Sequence, residues 1–296
     1  MRIVLIANPA SGTAQGSDAL GEVQQHLRSA GHDVHVRETA ARGDAERFAH
    51  DSAALGVDIV VAVGGDGTLN EVVNGVASAP DGLERCAIGL IPAGTGNDFA
   101  RTLGMAESDV ALAALAAGHE RRVDLVSLGD RVFLNASAGG FTAETSANVS
   151  SGMKQAVGTL AYLIGGARAV LEYEPVGVRV EWEGRSLEAD LQLFAICNGA
   201  YIGGGHQLAP TARPDDGLME VCLVRATSTL DFLALLPRLS SGHHVDDDDV
   251  AYFRTRAVTL SFSRTIKINT DGEVLEAARC EYVMRPGAVR LIAPAP

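Results

Sequence analysis

Residues 59–71 read Ile-Val-Val-Ala-Val-Gly-Gly-Asp-Gly-Thr-Leu-Asn-Glu, an apolar run that leads through a glycine-rich turn into a helical pattern. The run at 59–63 is apolar at every position, as in a strand of a parallel sheet that is covered on both faces. Beyond the turn, apolar residues recur at helical spacing from position 69 to position 76. This stretch therefore predicts a strand, a tight turn and a helix within an α/β fold.

The turn itself predicts a phosphate site. Gly64, Gly65 and Gly67 let the backbone approach a bulky anion without side chains in the way. The helix that follows directs free N–H groups and the positive end of its dipole at the same space. Asp66 would repel a polyphosphate unless Mg²⁺ or a proton lay between them, so a nucleotide with its metal is the expected ligand. The alternative is an ordinary Asp-Gly turn without a ligand.

The chain around this turn repeats the same pattern, which predicts an N-terminal α/β nucleotide-binding domain over residues 1–125. Short apolar runs such as 3–7 and 87–91 alternate with amphipathic helical segments, as in a parallel sheet. Polar turns that contain glycine follow at 8–12 and 92–99. These turns come at the carboxyl ends of strands, where open α/β sheets bind ligands, so we expect a nucleotide crevice there.

The second part of the chain, residues 126–296, has a different pattern. Strand-like runs follow one another with period-two alternation, which predicts a C-terminal β-rich domain of antiparallel, sandwich-like type. Helical patterns interrupt it at 153–173 and 229–239. The last apolar run, 289–292, fits pairing within this domain or a return to the first domain, and the pattern does not decide between them.

Composition and motifs exclude several function classes. The chain of 296 residues has 37 acidic and 24 basic side chains and a formal net charge of -13, so nucleic acid is not an expected partner. No G-x-x-x-x-G-K-[ST] motif is present, which excludes the P-loop class, and no G-x-G-x-x-G follows the first strand. The first residues lack the pattern of a signal peptide, and we expect a cytoplasmic protein.

In this combination of motifs the sequence resembles the diacylglycerol kinase catalytic family, and in particular its soluble bacterial lipid kinases. Gly-Gly-Asp-Gly-Thr is shared with NAD kinases and phosphofructokinases, whereas the two late segments are more specific. The matching segments, in family order, are Asn8-Pro9-x-Ser11-Gly12, Gly65-Asp66-Gly67-Thr68-Leu69-Asn70-Glu71, Pro92-x-Gly94-Thr95-x-Asn97-Asp98-Phe99, Gly203-Gly204-Gly205 with Ala209-Pro210, Asp215-Asp216-Gly217-Leu218 and Asp271-Gly272-Glu273.

The resemblance implies ATP as phosphoryl donor and Mg²⁺ as cofactor. Asp66 and Asp98 are the candidates for organising Mg²⁺ with ATP at the catalytic centre. The family's nucleotide contacts fall on Asn8, Pro9, Ala10, Ser11, Gly12, Thr39, Gly65, Asp66, Gly67, Thr68, Leu69, Asn70, Glu71 and Thr95.

Two more assignments come from the resemblance. A structural Mg²⁺ would be held by Asp216 and the main-chain carbonyls of Arg213 and Leu218, and the general base corresponds to Glu273. From the residues alone, the Asp215-Asp216-Gly217 segment also fits an ordinary acidic turn. Glu273 likewise fits a solvated glutamate on a hairpin.

One position departs from the family pattern. Many members have a lysine shortly after the Asn-Pro-x-Ser-Gly turn, whereas this chain has Thr13-Ala14-Gln15. The entire chain contains only Lys154 and Lys267. The phosphate charge would then be met by Mg²⁺, by backbone amides or by arginine.

The resemblance implies an ATP- and Mg²⁺-dependent lipid kinase that phosphorylates a hydroxyl of diacylglycerol or a similar lipid. The alternatives are a soluble-substrate kinase of the same superfamily, such as an NAD kinase, and a nucleotide-binding regulator without turnover. The expected partner is a lipid at the membrane surface, which the enzyme reaches from the cytoplasm. Whether the chain forms a homodimer is left open by the sequence. Apolar side chains that fit either membrane docking or core packing are Leu160, Leu163, Ile164, Val170, Leu171, Leu233, Leu235 and Leu236.

Overall fold

The computed structural model describes residues 1–9, 14–140 and 174–294. The helix predicted at 153–173 lies outside these residues. The strands are β1 (Arg2–Ala7), β2 (Asp33–Glu38), β3 (Ile59–Gly64), β4 (Ala87–Pro92), β5 (Glu120–Leu128), β6 (Arg131–Phe133), β7 (Ala136–Gly140), β8 (Val176–Trp182), β9 (Arg185–Cys197), β10 (Met219–Arg225), β11 (Val250–Thr255), β12 (Ala257–Thr270) and β13 (Glu273–Ile292). The helices are α1 (Ala14–Ser29), α2 (Asp44–Ala54), α3 (Asp66–Ser78), α4 (Gly82–Arg85), α5 (Asp98–Thr102), α6 (Ser108–Ala117) and α7 (Thr229–Ser241).

The N-terminal strands lie side by side in the order β2, β1, β3, β4, and each neighbouring pair is parallel. Every residue of β3 is buried, which is why this strand reads as a continuous apolar run. Because the four strands point in one direction, the turns that follow β1, β3 and β4 meet at the same edge of the sheet. The fold thus brings the polar turns together.

The rest of the chain is built from antiparallel strands. β9 pairs with β7, β8 and β10, and β12 pairs with β7, β8 and β13. A buried apolar cluster that includes Phe194, Leu260 and Tyr282 fills this part of the molecule. An α/β fold with a β-rich C-terminal part is therefore confirmed.

β13 connects the two parts of the molecule. This strand of 20 residues begins at Glu273 beside β12 and continues antiparallel to β5. At its far end Leu291 pairs with Ile88 of β4 in parallel orientation. Residues 289–292 thus return to the first part of the chain, because they pair with residues 120–123 of β5 and with Ile88 of β4. Residue 125, our expected domain boundary, lies inside β5.

The apolar face of α7 packs inward. Leu235 is buried, and Leu233 and Leu236 are partly buried against the same cluster. Core packing is therefore the role of these three side chains, whereas Leu160, Leu163, Ile164, Val170 and Leu171 lie outside the described residues. Among the described residues, no helix is long and apolar enough to cross a membrane.

Candidate active site

A cleft of about 470 Å³ opens at the edge of the sheet where the polar turns meet. Its walls come from the turns after β1, β2 and β3 and from the hairpin between β12 and β13. The lining residues are Asn8, Thr39, Ala40, Ala41, Arg42, Ala45, Gly65, Gly67, Thr68, Glu71, Asp271, Gly272 and Glu273. The cleft therefore joins the predicted phosphate turn to the predicted general base.

The turns after β3 and β4 are in direct backbone contact. A Cβ atom on Gly94 would lie 2.5 Å from the Cα atom of Gly65, so only glycine fits at position 94. The Asn97 side chain closes the second turn, because it accepts the N–H of Gly94 at 3.1 Å and donates to the carbonyl of Gly94 at 2.9 Å. This contact holds the predicted phosphate turn after β3 against the glycine turn after β4.

Asp66 and Asp98 are also brought together, and both carboxylates bind backbone N–H groups. The carboxylate of Asp66 accepts from the N–H groups of Asp98 and Phe99 at 3.1 and 3.2 Å. Burial is the main cause that raises the pKa of Asp66. The buried carboxylate of Asp98 in turn accepts from the N–H groups of Gly204 and Gly205 at 2.8 and 2.7 Å. These two side chains tie the turn after β3 to the start of α5 and to the Gly203-Gly204-Gly205 segment.

The other predicted nucleotide contacts occupy different places. Asn8 donates its side-chain amide to the hydroxyl of Thr68 at 3.5 Å, and Glu71 accepts the N–H of Ala45 at 3.1 Å. Leu69 and Asn70 are buried in α3 and do not line the cleft.

Five further predicted contacts are not part of the described cleft wall. Pro9 and Thr95 are exposed outside its lining. Ala10, Ser11 and Gly12 lie outside the described residues.

Asp271 fixes the hairpin that carries Glu273. Its backbone has a φ of 45°, in the left-handed region, and the carboxylate of this half-buried residue accepts three backbone N–H groups of the β6–β7 connection. The donors are Leu134 and Asn135 at 3.0 Å and Ala136 at 2.8 Å. Burial raises the pKa of Asp271 to about 7. The sequence predicted a hairpin here, but this anchoring role of the carboxylate was missed.

Glu273 projects into the cleft and is held by arginine. Its carboxylate lies 2.8 Å from Arg131 and 3.9 Å from Arg42, and its side chain is 28% exposed. Arg131 also binds Glu46 of α2 at 2.7 Å, so its guanidinium bridges the two parts of the molecule. Glu273 is therefore a cleft residue rather than a solvated hairpin glutamate. Neither arginine was found from the sequence, because nothing in its local pattern marks either one.

The predicted metal ligands lie in a separate acidic group. Asp216 accepts the N–H of Leu218 at 3.0 Å and pairs with Arg254. Asp215 pairs with Arg121 at 2.6 Å.

A further carboxylate, missed in the sequence, belongs to the same acidic group. Asp124 is buried and accepts the N–H groups of Gly217 and Gly287 at 2.6 and 2.7 Å. Burial, and then Asp216 and Asp215 nearby, raise the pKa of Asp124. Its own N–H donates to the carbonyl of Pro214, which follows Arg213, at 2.6 Å.

The chemistry of this donor set fits Mg²⁺, which prefers oxygen ligands. Among the described residues, side chains alone do not form a three-ligand metal cluster, so a metal here would also need main-chain carbonyls such as those of Arg213 and Leu218. A cation bound by Asp216 would also have to replace the guanidinium of Arg254.

The chain matches two protein families in succession. Residues 2–128 match the diacylglycerol kinase catalytic domain, and residues 136–293 match the YegS C-terminal NAD kinase beta sandwich-like domain. A diacylglycerol kinase of Bacillus subtilis (strain 168) is 32% identical over 274 residues, which cover 92% of this chain and 89% of the relative. A Chromohalobacter salexigens protein named "Probable lipid kinase YegS-like" is 36% identical over 283 residues, 94% of this chain and 90% of the relative.

A solved structure agrees with these matches. The crystal structure of a candidate diacylglycerol kinase from Bacillus anthracis strain Sterne superposes with a TM-score of 0.83 at 28% identity, over 99% of this chain and 95% of the other. The similarity thus extends over both parts of the fold. The chain therefore belongs to the diacylglycerol kinase catalytic family and, as a member of it, is an enzyme of the kinase class, a phosphotransferase.

Proposed function

We propose that this enzyme uses ATP and Mg²⁺ to phosphorylate a hydroxyl of diacylglycerol or a similar lipid. The observation that supports this most directly is the position of Glu273, which faces the same cleft as Gly65, Gly67 and Thr68. Phosphoryl transfer needs a phosphate site and, beside it, a group that receives the proton of the attacking hydroxyl. The cleft holds a candidate for each, from opposite ends of the chain.

In the proposed reaction, the acceptor oxygen attacks the γ-phosphorus while the bond to the β–γ bridging oxygen breaks and ADP leaves. Glu273 orients the hydroxyl and takes its proton late in the step, since a carboxylate is a weak base towards an alcohol. Backbone N–H groups at the start of α3 would bind phosphate oxygens. Asp66 and Asp98 would organise the metal–nucleotide complex while they hold the surrounding turns. When bound, Mg²⁺ supplies positive charge to the phosphate oxygens.

We divide the roles between residues 1–125, which would bind the nucleotide, and residues 126–296, which would bind the lipid. Of the predicted nucleotide contacts, Asn8, Thr39, Gly65, Gly67, Thr68 and Glu71 line the cleft and support this division. A lipid acceptor would require the enzyme to work from the cytoplasm at the membrane surface. With a net charge of -13, it would approach lipid through apolar contact more than through attraction to anionic headgroups.

The test is transfer from radiolabelled ATP with three acceptors, namely diacylglycerol in mixed micelles, NAD, and no acceptor. We expect label in the lipid and in neither control. Label in NAD alone would identify a soluble-substrate kinase. Binding of ATP without transfer to any acceptor would identify a regulator.

We also place a structural Mg²⁺ at Asp216 with the carbonyls of Arg213 and Leu218. Crystals soaked in Mn²⁺ should show an anomalous peak beside Asp216 in the wild type and none in Asp216→Ala, because the substitution removes the charged ligand. Asp231→Ala, an exposed carboxylate on α7, is the control and should keep the peak. A wild-type crystal without the peak would mean that Asp215-Asp216-Gly217 is an ordinary acidic turn.

A further inference from the structure

The charged residues that line the cleft are mostly acidic. Within the part of the chain that the structure describes, the lining includes three acidic residues, Glu71, Asp271 and Glu273, and one cationic residue, Arg42. A nucleotide triphosphate carries several negative charges of its own. A cleft of this composition needs a cation aimed at the phosphates, in addition to any metal that arrives with the nucleotide.

The three carboxylates already have close partners in the protein. Glu71 accepts a backbone N–H at 3.1 Å, and Asp271 accepts three such bonds. Glu273 is paired with Arg131 at 2.8 Å. Arg131 itself is held by two carboxylates and does not line the cleft.

Arg42 is held far less tightly than Arg131. Its described ion pair is a distant one, 3.9 Å to Glu273, and its side chain is 72% exposed. An exposed pair of this length contributes little to stability, so the guanidinium can turn to a stronger anion at small cost. Lys267, the one lysine among the described residues, is exposed on β12 and does not line the cleft.

The backbone that carries Arg42 is held in place by hydrogen bonds. Asp44 accepts the N–H groups of Ala40 and Ala41 at 2.9 and 3.0 Å, which closes the turn between β2 and α2. A hydrogen bond from Arg47, followed by these two N–H bonds, lowers the pKa of Asp44 to about 2. Asp44 therefore stays ionised at neutral pH, and the turn presents Arg42 from a fixed point on the cleft wall.

We propose that Arg42 binds the phosphate chain of the nucleotide and is its principal side-chain cation in this cleft. The inference rests on the proposed function, since it needs a nucleotide in the cleft. The guanidinium offers several N–H donors in a planar arrangement that matches phosphate oxygens, and such bonds are stronger than neutral ones. On binding, Arg42 moves from Glu273 to the phosphates, and Arg131 keeps Glu273 in place.

Binding measurements on four proteins test the assignment: the wild type, Arg42→Gln, Arg42→Lys and Arg279→Gln. The ligands are Mg²⁺-ATP and adenosine, each measured by displacement of a fluorescent ATP analogue. Arg42→Gln should raise the Kd of Mg²⁺-ATP about tenfold, the scale of one charge-assisted hydrogen bond, and leave the Kd of adenosine unchanged. Arg42→Lys should recover part of the loss. Arg279→Gln is the matched control, because Arg279 is exposed on β13, lies outside the cleft lining and takes no part in the turn that carries Arg42.

The outcomes separate this inference from the proposed function. A wild type that does not bind Mg²⁺-ATP contradicts both. Wild-type binding together with an Arg42→Gln Kd within twofold of it overturns only the role of Arg42. Equal weakening of ATP and adenosine would place Arg42 at the nucleoside and also overturn the phosphate assignment. Thermal unfolding of the variants verifies that each is folded, which the exposure of Arg42 leads us to expect.

Discussion

Glu273→Gln is expected to lower the turnover number about 100-fold or more and to leave the Kd for ATP nearly unchanged. Glutamine keeps the volume of the side chain and an oxygen that can accept from Arg131, but it cannot take a proton from the acceptor hydroxyl. Arg131 also retains its second partner, Glu46 at 2.7 Å, so the cleft wall should keep its structure. Steady-state kinetics with a lipid acceptor and equilibrium ATP binding measure the two quantities separately.

Glu276→Gln is the matched control for this prediction. Glu276 lies three positions further along β13 and is exposed, so the same chemical change is made on the same strand outside the cleft. Its turnover should remain at the wild-type level. If Glu273→Gln also keeps turnover within a few-fold of the wild type, another group takes the proton and Glu273 serves the ion pair with Arg131 alone.

Asp271→Ala is expected to lower the free energy of unfolding by about 3 kcal/mol or more at pH 7. The substitution leaves the N–H groups of Leu134, Asn135 and Ala136 without their carboxylate acceptor, and an unsatisfied buried donor costs about 1–3 kcal/mol. Removal of a carboxylate that is costly to ionise in the interior offsets part of the loss. Urea denaturation measures the change, and Asp130→Ala, an exposed carboxylate in the turn before β6, should cost little.

The pH dependence gives a second test of Asp271. Its folded pKa of about 7 lies above the unfolded value of about 3.9, so the folded state keeps a proton that the unfolded state loses between these values. This contribution to stability is fully present below the unfolded pKa and disappears as the pH rises through about 7. The cost of Asp271→Ala should therefore be larger at pH 5 than at pH 8. An equal cost at both values would show that three N–H donors keep the carboxylate ionised throughout.

Local sequence patterns were sufficient to predict the strand, turn and helix that form one wall of the cleft. Residues 59–71 predicted a buried strand, a glycine turn and a helix, and these are β3 and α3. Secondary structure of this kind depends on residues within a few positions of each other. β-Branched residues favour the strand, and apolar residues at helical spacing favour the helix. The position of Glu273 after a tight turn was predictable for the same reason. Its place in the cleft is consistent with the resemblance to the diacylglycerol kinase family.

Contacts between distant residues were decided only by the tertiary structure. Glu273 meets Arg131 across 142 positions of the chain, and Asp66 receives the N–H of Phe99 across 33. Asp124 lies near Asp215 and Asp216 because it bonds to the flanking backbone, donating to the carbonyl of Pro214 and accepting the N–H of Gly217. Arg42 reaches the cleft because the turn after β2 faces the β12–β13 hairpin. Strand order and register determine which of these residues meet. The local sequence around an arginine or an acidic residue does not show which distant residue it will contact. The sequence by itself thus determined the elements and the glycine turn between β3 and α3, while tertiary packing decided which charges meet in the cleft.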